Sequence, residues 1–149
     1  MKEIFRKFED TAAEILKLNE KSEAVLCDPV YEGKWSIRDI VGHLYYWDKF
    51  ILEKLVPLMA DGADLPPFPE HDKYNAEALA YLKNDSVATI IEQFIETRKQ
   101  LTKQLAAVDN GIQFTIGGRK KKFSGESFTK MFLMHDEHHL KQITEKLHR

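Results

Sequence analysis

One cysteine, five prolines and seven glycines are spread over 149 residues. A lone Cys27 cannot close an intrachain disulfide, so nothing in the thiol content points away from a reducing cytoplasm. With few glycines and prolines to interrupt it, the chain can sustain long regular elements. No apolar run approaches the roughly 18 residues that span a bilayer, which excludes a membrane-spanning helix. The first residues, Met1 to Arg6, turn charged again too soon for the apolar region of a signal peptide. Charge of one sign is also missing: 22 basic against 24 acidic side chains leave a net charge of -2, which disfavours a dedicated nucleic-acid binder.

Apolar and aromatic residues are plentiful, 43% hydrophobic with nine Phe, five Tyr and two Trp, so the chain is neither disordered nor short of a core. The length suits one domain spanning 1–149. Glycine and proline gather in two places, the stretch from Asp61 to Glu70 and the stretch from Asn110 to Gly118. Elsewhere the pattern is helical. Ile4, Phe8, Ala12 and Ile15 share one face of a helix expected from Glu3 to Asn19. A second helix is expected after Trp35, with Ser36 as N-cap and Asp39 completing a capping box. Its stripe runs from Ile37 through Ile40, Val41, Leu44, Trp47 and Ile51 towards Leu58, with Pro57 placed to disturb its end.

A short helix is expected after Tyr74. Asn84, Asp85 and Ser86 break it and cap a third long helix carrying Val87, Ile90, Ile91, Phe94, Leu101, Leu105 and Val108. Phe114 to Ile116, the glycine pair and Arg119 to Phe123 read as a small β-hairpin. The last helix starts near Ser124 or Ser127 and runs almost to the end. The expectation is an all-α fold: a four-helix bundle with a long connection between its second and third helices and a β-hairpin before the last. Such a long connection is often a crossover or a lid.

Six histidines carry the chemical signal, and three fall between His135 and His139. At about 100° per residue, His135 and His139 lie only about 40° apart on a helix. They share that face with Phe128, Met131 and Phe132, so it points inward. Imidazoles one turn apart can hold a single metal ion, as in HExxH helices. Glu137 points nearly opposite His135, so the base of that motif is missing here. His135 with His138 is the poorer alternative pair. His43, flanking the second helix's apolar stripe, is the natural third ligand, and three histidines leave positions for water. Each of these residues also has a plain reading as a hydrogen-bonded core histidine. His71 and His148 read as exposed.

The stretch Trp35-Ser36-Ile37-Arg38-Asp39-Ile40-Val41-Gly42-His43-Leu44 resembles the helix-two signature of the DinB-like superfamily. The stretch Met134-His135-Asp136-Glu137-His138-His139-Leu140-Lys141-Gln142-Ile143 resembles its helix-four signature. Their order and separation match, and the resemblance covers nearly the whole chain. It implies a divalent metal, zinc or nickel, bound by His43, His135 and His139, with water completing the shell. Members of that family include bacillithiol S-transferases and a mycothiol-dependent maleylpyruvate isomerase. The resemblance thus implies a metal-dependent enzyme acting on a small-molecule substrate: a low-molecular-weight-thiol S-transferase or a hydrolase. A non-catalytic binding or stress-resistance protein is the alternative. It also implies a homodimer, and neither nucleic acid nor membrane as a partner.

Two further residues are candidates for substrate binding. Arg98 interrupts the third helix's apolar stripe and needs an anion, from a substrate or from an internal Asp or Glu, unless it snorkels to water. Trp47, one turn beyond His43, is placed to line an apolar pocket or simply to fill the core. The basic run from Arg119 to Lys122 reads as a solvated turn, and Cys27, without a basic neighbour, as unreactive.

Overall fold

A computed structural model describes all 149 residues. Four long helices form the bundle: α1 (Glu3–Leu16), α3 (Ile37–Phe50), α5 (Val87–Ala106) and α6 (Gly125–Leu147). Two short ones complete the helical set, α2 (Glu23–Cys27) and α4 (His71–Tyr81). α5 packs against both α1 and α3, and α6 closes the bundle chiefly against α1. No helix is long and apolar enough to cross a membrane.

The helix starts follow their caps. Ser36 and Asp39 form the full reciprocal capping box at α3, and Ser124 with Ser127 does the same at α6. Ser86 caps α5 through the Thr89 amide. The ends depart from the simple periodic pattern. α1 stops at Leu16 and tightens into a 3₁₀ turn over Lys17–Glu20. α3 passes into a π turn at Ile51–Leu55 and a 3₁₀ turn at Val56–Leu58, where Pro57 has no N–H to give. α4 begins at His71 rather than after Tyr74, because the Glu70 carboxylate accepts from the amides of Asp72 and Lys73.

The β-hairpin is present but short, with the positive-φ pair Gly117 and Gly118 at its turn. Phe114 and Phe123 make a single antiparallel bridge. Beyond it, β2 (Thr115–Ile116) pairs in parallel with β1 (Asp64–Leu65) from the long connection. Asp64 decides the pairing: its carboxylate accepts from the Thr115 hydroxyl at 2.7 Å and from the Gly118 amide at 3.0 Å. Leu65 and Ile116 are both buried there. Arg119 to Lys122 has no apolar face to offer a sheet and stays exposed.

The core falls into two apolar clusters. One contains Ala12, Ile15, Leu44, Phe94 and Ile143. The other contains Phe8, Ile51, Leu101, Phe128 and Leu133. Each long helix crosses from one cluster to the other at a buried polar residue: Thr11 on α1, Asp48 on α3, Arg98 on α5 and Asp136 on α6. A polar layer therefore cuts the bundle at one level. α4 lies over the bundle beside α3, and its last turn comes close at Gly42. A Cβ there would meet Leu82 Cδ1 at 2.9 Å, so the Leu82 side chain would have to shift to admit one.

Candidate metal centre

His43 stands two turns into α3, its position set by the capping box, and His135 and His139 stand one turn apart on α6. The two helices bring the three rings together. His135 Nε2 lies 3.3 Å from His43 Nε2 and 3.2 Å from His139 Nε2. One ring nitrogen from each histidine lies within 4.8 Å of the others. Nitrogens bound tetrahedrally at about 2.0–2.1 Å from zinc stand about 3.3–3.4 Å apart. The spacing of the two short pairs fits that shell. His138 is exposed, and His135 and His139 are the α6 pair that joins His43.

The outward nitrogens explain why these atoms face one another. Asn75 on α4 presents Oδ1 to His43 Nδ1 at 2.9 Å and to Trp47 Nε1 at 2.8 Å. An indole nitrogen only donates, so this atom of Asn75 is the acceptor, and His43 must carry its proton on Nδ1. Its Nε2 is left as a bare lone pair. His139 Nδ1 lies 2.8 Å from Gln142 Oε1, and with that oxygen as acceptor the His139 proton sits on Nδ1 and Nε2 is bare. A cation at the meeting point would satisfy lone pairs that a single proton could not.

Electrostatics favour the neutral rings that metals need. Burial and then the nearby His139 hold His43 down to about 3, against the opposing pull of Asn75. Burial and His139 hold His135 down to about 4. Burial also lowers His139, although Gln142 opposes it. His43 and His139 are 6% and 7% exposed, and His135 is half-buried. Trp35 leans on the His43 ring at 5.1 Å and Phe132 stands 6.3 Å from His135. His71, though exposed, reaches Trp47 at 5.3 Å.

The matching family model covers residues 7–143. The chain belongs to the DinB superfamily. None of the curated proteins matches it. Among solved structures it resembles YfiT from Bacillus subtilis, described as a probable metal-dependent hydrolase with an unusual four-helix bundle topology. The two are 19% identical with a TM-score of 0.67, over 96% of this chain and 83% of that one. At that identity the likeness speaks for the fold, the four-helix bundle that this DinB-superfamily chain shares.

Both substrate-binding candidates are buried. Arg98 is 1% exposed, and its five N–H groups are all taken within the protein. Nε and Nη2 donate to Asp48 at 2.6 and 3.0 Å. Nη1 and Nη2 donate to Asp136 at 2.6 and 3.1 Å, and Nη1 also reaches the Phe8 carbonyl at 2.9 Å. Its guanidinium lies 3.8 Å over the Phe8 ring. The internal carboxylates are thus the anions that Arg98 required. Trp47 is 6% exposed and spends its N–H on Asn75, so it buttresses the partner of His43.

Asn75 and Gln142 escaped the sequence reading. Asn75 is 32 residues from His43, in a short helix of weak periodicity, and nothing local marks it. Gln142 stands three residues from His139, within reach on a helix, and that spacing is the signal that could have found it. Asp136 turns away from the histidines into the polar layer, where it is 1% exposed and accepts from Arg98.

Proposed function

We propose that the chain is a metal-dependent enzyme acting on a small molecule, with His43, His135 and His139 holding one divalent ion, zinc or nickel. The observation that carries this reading is the convergence of Nε2 atoms from two helices at 3.2 and 3.3 Å, with two of the outward nitrogens engaged by amide oxygens. Three protein ligands leave a position open, the arrangement of catalytic rather than closed structural sites. A divalent ion there supplies Lewis-acid activation, lowering the pKa of a water or a low-molecular-weight thiol at the open position.

The chain's own residues supply the rest. Burial keeps His43 and His135 unprotonated at neutral pH. Asn75 holds the His43 proton on the side away from the site, and Gln142 does so for His139. Trp35 packs against the His43 ring and Phe132 against the His135 ring. The metal-ligating cluster is made of imidazoles alone, with no carboxylate among its members to act as base. The description of YfiT as a probable metal-dependent hydrolase supports the hydrolytic form of this chemistry.

The test is elemental analysis of purified protein, followed by assays of electrophilic substrates with and without added low-molecular-weight thiols. About one zinc or nickel per chain and metal-dependent turnover are expected. A thioether product identifies thiol transfer, and a hydrolysed product identifies water as nucleophile. A chain that takes up no divalent ion under saturating conditions is not such an enzyme.

A further inference from the structure

A cleft of about 400 Å³ opens beside the histidines, within the size range of small-molecule sites. Val30, Tyr31, Trp35 and Ile40 give it an apolar and aromatic wall, and His139 is among its lining residues. Lys34 and Gln142 complete its polar lining, and no carboxylate lines it.

The wall is built rather than loose. Pro29 and Ser36 bridge its base. The Val30 amide donates to the Trp35 carbonyl at 2.8 Å, and the Lys34 amide to the Tyr31 carbonyl at 2.9 Å. Gly33, with φ at 75°, makes the turn between them. The end of α6 fastens the wall from outside. Arg149 donates to the Val30 carbonyl and stacks 3.9 Å from the Tyr31 ring, while Lys146 pairs with Asp28.

Two polar side chains of this cleft, Lys34 and Gln142, can donate to a ligand. Lys34 brings its one cationic side chain. Gln142 gives its oxygen to His139, which leaves its amide N–H groups for a ligand. We infer that the cleft between the Pro29–Ser36 turn and α6 binds a small organic anion with an aromatic or apolar body, its anionic end at Lys34 and its body against Trp35 and Tyr31. This names a substrate class for the site of the proposed function and rests on that reading only for the chemistry at the His139 end.

The test is an NMR titration of ¹⁵N-labelled full-length protein, zinc-loaded and metal-free, with 3-phenylpropanoate and with its neutral amide. The acid should shift the Trp35 indole and Gln142 side-chain signals and should bind about two- to fivefold more tightly than the amide, the scale of one exposed ion pair. Lys34→Gln, at an exposed position, should remove that preference while the shifts persist. Trp35→Leu should weaken acid and amide together. Equal affinity for acid and amide in the unmodified protein, no binding of either, or shifts confined to other regions would overturn the inference. A protein that takes up no zinc but keeps the preference for the acid retains this inference and loses the metal reading. A protein that binds zinc but treats acid and amide alike does the reverse.

Discussion

Asn75→Ala tests whether the centre is organised from its second layer. Asn75 Oδ1 is the shared acceptor for His43 Nδ1 and Trp47 Nε1, at 2.9 and 2.8 Å. Without it, His43 is free to carry its proton on Nε2 or to turn its ring, and each option competes with metal binding. Losing the partner of a ligating histidine typically costs about 10- to 100-fold in affinity. That corresponds to about 1.4–2.7 kcal/mol. Asn75→Asp keeps an acceptor in place and adds charge, so it should hold zinc at least as firmly as the parent. Competition with a chromophoric chelator at pH 7.5 measures the affinities, and imidazole ¹⁵N shifts report the His43 tautomer in the metal-free state. If Asn75→Ala binds zinc within about threefold of the parent, or if Asn75→Asp is as weak as Asn75→Ala, the positioning argument fails.

His43→Ala and His139→Ala should each lose the ion, while His138→Ala keeps it; elemental analysis beside circular dichroism separates metal loss from unfolding, and zinc retained by the double variant would place the site elsewhere. Arg98→Met should cost about 3–5 kcal/mol in urea denaturation, because it strands two buried carboxylates, whereas Arg98→Met combined with Asp48→Leu and Asp136→Leu should recover most of that loss; a single variant as stable as the parent refutes the account of the polar layer. The metal-free protein should also be acid-sensitive through its histidines. Their folded pKa values, about 3 for His43 and about 4 for His135, lie below the ordinary 6.5. The stability they contribute is therefore complete above about 6.5 and is lost as pH falls towards those values. Burial pushes Asp48 up to about 6 against the pull of Arg98, and that acts in the opposite direction. The informative comparison is with His43→Asn/His135→Asn: between pH 7 and pH 4.5 the parent's urea midpoint should fall further than the variant's, and equal falls would contradict the assignment.

What could be read in advance was local. The capping boxes and the three-to-four spacing of apolar residues depend on neighbours within a turn, and they locate α3, α5 and α6 closely. The His135/His139 pair is legible for the same reason, since one helical turn relates the two residues. Pairings across long separations were hidden. The hairpin from Phe114 to Phe123 is local and legible, whereas the parallel pairing of Thr115 and Ile116 with β1, with Asp64 lying 51 residues before Thr115, is not. Arg98 announced that it needed an anion but could not say which. Asp48 and Asp136 lie 50 and 38 residues away, and nothing in their local sequence sets them apart from solvated carboxylates.

The polar layer and the metal centre meet on α6, at consecutive positions. A step of about 100° separates His135 from Asp136. One side chain therefore enters the histidine cluster, while the next enters the ion-paired layer with Arg98 and Thr11. On α3 the same division separates His43 and Trp47, which meet at Asn75, from Asp48, which holds Arg98. The guanidinium thus ties α5 to both helices that carry the histidines, and it does so immediately beside the residues that must hold their spacing. A layer of leucines would satisfy the hydrophobic stripe but would fix neither the rotation nor the height of one helix against another. Five donors fully engaged by two carboxylates and a backbone carbonyl specify both. On this account the conservative change Arg98→Lys, which keeps the charge but cannot make the two-sided fork, should loosen zinc binding without direct contact with the ion. Chelator competition on the folded variant measures that loss, and an affinity equal to the parent's would show that the layer supports the bundle but not the centre.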